Sequence, residues 1–142
     1  MRAMGITVGS GSTPNTIFAI WASHLEREDA LTGDLAVIDR CVVDAMAYTR
    51  VLSLNSDLEL RLFEQIAKLA VRRLDLVIHL EFTDFFTDKG ADHETPVLRR
   101  QIANEIKVVM AELSPPRIDL DASDSGALDA AIRAIQSIIG RD

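Results

Sequence analysis

The chain has 142 residues, is 48% hydrophobic and 26% charged, and carries a formal net charge of -7. This balance describes one globular domain spanning 1–142, large enough to bury a core, and excludes a disordered or fibrous chain. The negative charge argues against a nucleic-acid partner, which would need lysine and arginine to neutralise phosphates, and no apolar run reaches the roughly 20 residues that span a bilayer.

Residues 5–8 (Gly5-Ile6-Thr7-Val8) are a strand candidate, and the loop 9–14 that follows is rich in small residues. From Asn15 to about Arg27, apolar residues recur at helical spacing, with Thr13 as N-cap and Pro14 at the first helical position. Thr32-Gly33-Asp34 reads as a turn. The run Leu35-Ala36-Val37-Ile38 reads as a strand covered on both faces, because polar alternation is missing. A helix is predicted over about 42–52. Asn55-Ser56-Asp57 then breaks the pattern and caps a helix over about 58–74, with Leu58, Leu62, Ile66, Leu69 and Leu74 as its apolar stripe. Residues 75–80 form the clearest strand. Residues 81–94 are a polar and aromatic loop, a lid candidate. Pro96 starts a helix that ends at about Leu113, before Ser114-Pro115-Pro116. A last strand covers 117–120. Asp124 or Ser125 caps a final helix over about 126–139, with Leu128, Ile132, Ile135 and Ile139 inward.

Strand and helix alternate, which predicts an α/β fold: a three-layer parallel sheet with helices on both faces. Ligands in such sheets sit beyond the carboxyl ends of the strands. That edge would gather Asp39, Arg40, Glu81 and the segment around Asp121, Ser123 and Asp124. Asp39 suits a magnesium ion bound through water, or the proton of an attacking hydroxyl. Arg40 suits phosphate oxygens through two donors. A helix cap and a surface ion pair would use the same two residues. Asp44 and Tyr48 lie one helical turn apart and would line a pocket beside Arg40; a half-buried Tyr48 in the core is the alternative. Arg99 and Arg100 follow the lid candidate and are phosphate-contacting candidates, or solvated helix charges.

The loop containing Thr13 and Asn15 follows a strand candidate and opens a helix, so its backbone N–H groups could face an anion on the substrate side. A turn with a helix cap is the alternative, and either is expected over a nucleotide cradle. That motif needs G-x-x-x-x-G-K-[ST], and the sequence contains no Gly-Lys pair. Cys41 is the only cysteine, and the three histidines, His24, His79 and His93, lack ligand spacing. No intrachain disulfide or zinc cluster is expected.

"LAVIDRCVVDAMAYTR" (35–50) resembles the strand-plus-helix signature of AAA-type P-loop ATPase and kinase-like domains related to nicotinamide riboside kinase and other nucleoside kinases. Those domains carry an acid-Arg pair after a buried strand, then an Ala-Tyr pair, here Ala47-Tyr48. "RRLDLVIHLEF" resembles their next strand, and "PPRIDLDASDSGALDAAIRAI" their last strand, base loop and closing helix. The resemblance runs from about Leu35 to the C-terminus. It implies ATP and Mg2+ as cofactors, phosphoryl transfer to a small, nucleoside-like hydroxyl-bearing acceptor, and a cytoplasmic protein. By resemblance Asp39 is the metal or base carboxylate and Arg40 the phosphate-contacting arginine. Arg99 or Arg100 would be lid arginines, with Asp121, Ser123 and Asp124 near the adenine.

The resemblance lacks the family's first strand, phosphate loop and first helix, which implies an N-terminally incomplete domain with impaired transfer. In the family the cradle strand lies between the Asp-Arg strand and the lid strand. Three arrangements would close that gap: direct pairing of 35–38 with 75–80, entry of 6–8, or a strand from another chain. A rival expectation is a non-catalytic module that forms a homodimer through the exposed sheet.

Overall fold

The structure is a computed structural model and describes residues 11–81 and 95–140. Its elements are helix α1 (Pro14–Asp29), α2 (Val42–Leu52), α3 (Asp57–Ala70), strand β1 (Val77–Leu80), α4 (Pro96–Leu113), strand β2 (Arg117–Leu120) and α5 (Ala127–Ile139). A 3-10 turn, Val71–Arg73, joins α3 to the approach to β1. None of the described helices is long and apolar enough to cross a membrane.

Helix α2 is the centre of the packing. It touches α1, α3 and α4, and Val42, Val43, Ala45, Met46, Ala47, Tyr48 and Thr49 are all buried. A helix that is apolar nearly all round must be surrounded. The small residues Ala45 and Ala47 leave room for its neighbours. The bounds of α2, α4 and β2 match the sequence reading, for local reasons. Thr95 caps α4 by accepting from Leu98 N–H, and Pro96 takes the first turn. Ser53 and Ser114 close α2 and α4 in the left-handed conformation.

Helix α1 opens as expected, with Thr13 accepting from Thr16 N–H and Thr16 Oγ1 accepting from Thr13 N–H. Its inner face places Trp21 against Phe63 of α3, with stacked rings 5.0 Å apart. Trp21 Nε1–H donates to Thr49 Oγ1 at 2.9 Å, and that hydroxyl donates to the Ala45 carbonyl at 2.7 Å. The buried indole nitrogen is thereby satisfied. A second tie joins α2, α3 and α4. Arg50 donates to Glu64 at 3.1 Å, Glu105 at 3.2 Å and Glu112 at 2.7 Å.

Strands β1 and β2 pair in parallel, with Val77 opposite Arg117 and Leu80 opposite Leu120. Helix α4 forms the connection, as parallel pairing requires a crossover. Helix α5 packs on β2. The protein is thus mixed helix and sheet, and the sheet among the described residues has two strands.

Three expectations are corrected. Residues 35–38 form no strand. Leu35 is 57% and Val37 77% exposed, so the run is not covered on both faces, and without a neighbouring ladder an apolar run has no reason to hold strand geometry. Direct pairing of 35–38 with β1 is therefore not how the sheet is built. The stripe expected on α3 is also displaced. Phe63, Ala67 and Ala70 are its buried residues, while Leu58, Leu62 and Leu69 face outward. Alanine at two of the three inner positions lets α2 approach α3 closely, and leucines cannot take that place. In α5 no residue is buried, and Leu128, Ile132 and Ile139 are exposed. Neither Asp124 nor Ser125 caps it: Gly126 is the N-cap and no side chain bonds the first turn, while Asp124 closes the turn before the helix by accepting from Gly126 N–H at 2.9 Å. The strand expected at 5–8 and nearly all of the lid at 81–94 lie outside the described residues.

Candidate functional site

The segment that leads into α2 has an unusual backbone. Arg40 takes φ 64°, a left-handed conformation uncommon for a residue with a Cβ. Such strain of about 1 kcal/mol persists where the surroundings fix it, and here they do. Arg27 of α1 donates to the Asp39 carbonyl at 3.3 Å. Asp44, in the first turn of α2, accepts from Cys41 N–H at 3.0 Å. Asp44 rather than Asp39 therefore caps this helix.

The strained segment forms one wall of a cleft of about 600 Å3, within the range of small-molecule sites. Asp39, Arg40, Asp44 and Tyr48 line it, with Arg99 and Lys107 from α4 and His79 and Glu81 from the β1 side. Ile38, Leu74, Val77, Ile102 and Met110 supply an apolar floor. Tyr48 is also buried, so it serves core and cleft together. Lys107 lies 3.9 Å from Glu81.

The remaining candidates lie elsewhere. Thr13 is occupied as the α1 cap, and Asn15 is exposed in the first turn of α1. Arg100 is exposed on α4 and does not line the cleft. Asp121 accepts from Ser123 N–H at 2.8 Å and from its hydroxyl at 2.6 Å, bonds that hold the Asp121 carboxyl below its ordinary range. Asp121, Ser123 and Asp124 organise the turn into α5, and of that loop only Ala122 reaches the cleft.

Electrostatics divide the cleft residues by role. Burial pushes the Cys41 thiol up to about 11, and the Asp44 charge adds to it. At neutral pH this group is a thiol, not a nucleophilic thiolate. Burial also raises the Asp44 carboxyl, opposed by the Cys41 N–H bond and then by Arg40.

Behind the strained segment lies a second group that sequence reading missed. His24 and Glu28, one turn apart on α1, are only 2% and 6% exposed. Arg27 donates to His24 Nδ1 at 2.7 Å, which leaves Nε2 to carry the ring proton. That Nε2 and both Glu28 oxygens have no hydrogen-bond partner among the described residues. The signal in the sequence was their spacing on the apolar face of α1. Burial lowers His24 to about 4, helped by Arg27 and Arg40. Burial raises Glu28, opposed by Arg73 and Arg27.

The two have opposite linkage. Between pH 6.5 and about 4 the unfolded chain binds a proton at His24 that the fold refuses, so His24 removes stability on acidification. Glu28 keeps its proton in the fold at pH values where the unfolded chain has lost it, so it adds stability on acidification. His24→Leu is expected to flatten the acid limb by about 2 kcal/mol, after allowance for solvent screening. Glu28→Met is expected to steepen it. Urea midpoints at several pH values test both, and an unchanged limb in His24→Leu would refute the assignment.

No family model, curated protein or solved structure matches this chain.

Proposed function

We propose that the cleft is a phosphoryl-transfer site of the nucleoside-kinase type in a cytoplasmic protein, binding ATP with magnesium beside a small nucleoside-like acceptor. One observation carries this reading: Arg99 of α4 shares a single cleft with Asp39, Arg40, Asp44 and Tyr48 of the segment that leads into and through α2. Arg40 and Arg99 bring guanidinium charge suited to phosphate oxygens. Asp39 offers the carboxylate for the metal or for the acceptor's proton. Asp44 acts through the backbone, fixing the segment that carries Asp39 and Arg40.

No group of three metal-ligating side chains occurs among the described residues. This donor set fits magnesium, which needs only one or two carboxylates when phosphates and water complete its shell. When bound, the metal neutralises charge on the phosphates. The sequence lacks the Gly-Lys pair of the cradle, so transfer by this chain is expected to be impaired. On this reading β1, α4, β2 and α5 are part of a three-layer parallel P-loop sheet.

Calorimetric titration of the chain with Mg-ATP tests the reading. Binding should weaken at least about ten-fold in Asp39→Ala and in Arg40→Ala, which corresponds to about 1.4 kcal/mol. No heat at millimolar Mg-ATP would remove it. The second reading, a non-catalytic module forming a homodimer, draws on the outward Leu58, Leu62 and Leu69 of α3 and Leu128, Ile132 and Ile139 of α5.

A further inference from the structure

His79 is the single ionisable residue of β1, set among Val77, Ile78 and Leu80. Parallel register places it beside Asp119 of β2, and side chains at paired positions project from the same face of a sheet. The result is a short contact: His79 Nδ1 lies 2.9 Å from Asp119 Oδ1. Asp119 is steadied in turn by Arg117, whose Nε lies 3.4 Å from Oδ2. The His79 side chain is 12% accessible and the Asp119 side chain 46%, so the ring is the sheltered member of the pair.

A carboxylate oxygen accepts, so Nδ1–H is the donor in this bond. A neutral imidazole with its proton on Nδ1 has an acceptor at Nε2. His79 is also one of the residues lining the cleft that holds Asp39, Arg40 and Tyr48. The cationic groups of that cleft are donors, and Asp44 is already engaged with Cys41 N–H. In its neutral form, an imidazole that holds its proton on Nδ1 adds an acceptor at Nε2 among them. Its directional lone pair selects a neutral hydroxyl donor over an anion.

We propose that the His79–Asp119 pair is a hydroxyl-recognition site of the cleft, in which Nε2 accepts a hydrogen bond from a hydroxyl of a sugar-like ligand. This deepens the kinase-type reading and rests on it for the identity of the cleft as a ligand site. It names the residue that receives the acceptor molecule and the chemical class of the group received. Asp119 is a positioning residue, since it acts through the ring.

The test is nitrogen-15 NMR of the histidine rings in the intact chain. The expected spectrum shows His79 protonated on Nδ1, and millimolar D-ribose shifts its Nε2 signal in a saturable way. Asp119→Ala removes the acceptor that holds the Nδ1 proton, so the Nδ1-protonated form and the ribose response are expected to diminish together. His79→Gln keeps a polar side chain at the same place and should abolish ribose binding measured by ligand-observed NMR. A wild-type ring protonated on Nε2, or an Nε2 signal unmoved by ribose, would overturn the proposal. The nucleotide reading fails separately: if Mg-ATP gives no heat while ribose still moves Nε2, the hydroxyl site stands and the phosphoryl site falls.

Discussion

Phe63→Ala is expected to be the most destabilising single truncation in the molecule, costing about 3–5 kcal/mol. Phe63 is 2% exposed, as is Trp21, against which it packs. It stacks on Trp21 at 5.0 Å with an interplanar angle of 10° and meets Phe18 at 5.0 Å with a tilt of 57°. Such aromatic contacts contribute about 0.5–1.5 kcal/mol beyond area burial. Truncation removes both contacts and leaves a hole between α1 and α3 that helix-borne neighbours cannot easily close. A typical domain is stable by only about 5–15 kcal/mol, so the variant should lose most of its margin. Urea unfolding measures the loss. Phe63→Leu, which refills most of the volume, should cost much less. Equal midpoints for the alanine variant and the wild type would mean that this cluster does not hold α1 to α3.

Arg50→Met is expected to cost about 2–4 kcal/mol, through charge rather than volume. One guanidinium serves carboxylates from α3 and α4 at once, Glu64, Glu105 and Glu112, with its own side chain 22% accessible. The Glu112 bond is the main cause that strengthens its hold on its proton, followed by Glu105 and Glu64 after the opposing effect of burial. Methionine fills the stem's space and leaves three carboxylates facing one another. The pH dependence follows. In the wild type Arg50 holds the Glu112 carboxyl down, so that pairing stabilises the fold above the ordinary glutamate range and is lost as pH falls through the lowered value. In the variant, protonation of the crowded carboxylates relieves repulsion. The gap between the two proteins should therefore narrow in acid, and at high salt. Adding Glu105→Gln to Arg50→Met should recover part of the loss. A gap independent of pH would assign the cost to packing.

These effects sit on helices whose starts were legible in the sequence, although α3 ends at Ala70, short of the expected 74. Thr13-Pro14, Ser56, Thr95-Pro96 and Ser114-Pro115-Pro116 are local instructions, and the chain obeys them whatever lies nearby. Burial was less legible, because it depends on neighbours. Leu58, Leu62 and Leu69 outweigh Phe63, Ala67 and Ala70 in any count of apolar character, yet the smaller set faces α2. The run 35–38 has strand composition and no strand beside it. Within the candidate site, Asp39, Arg40, Asp44 and Tyr48 could be grouped from spacing along ten residues. His79 and Asp119 are 40 residues apart and meet only through strand register, which no local pattern encodes. The orphaned Nε2 of His24 was equally hidden, since its burial and its missing partner both depend on what packs against α1.

The chain has one tryptophan and one tyrosine, and the fold assigns them to different territories. Trp21 is enclosed between α2 and α3, bonded to Thr49 and stacked on Phe63. Tyr48, one position before that threonine, lies against the cleft. Emission excited selectively from the indole therefore follows the integrity of the three-helix junction. Ultraviolet difference absorption of the phenol follows occupancy of the cleft. The protein carries two intrinsic optical reporters, and a ligand that perturbs the phenol while leaving the indole unchanged would be entering a site whose walls are already set.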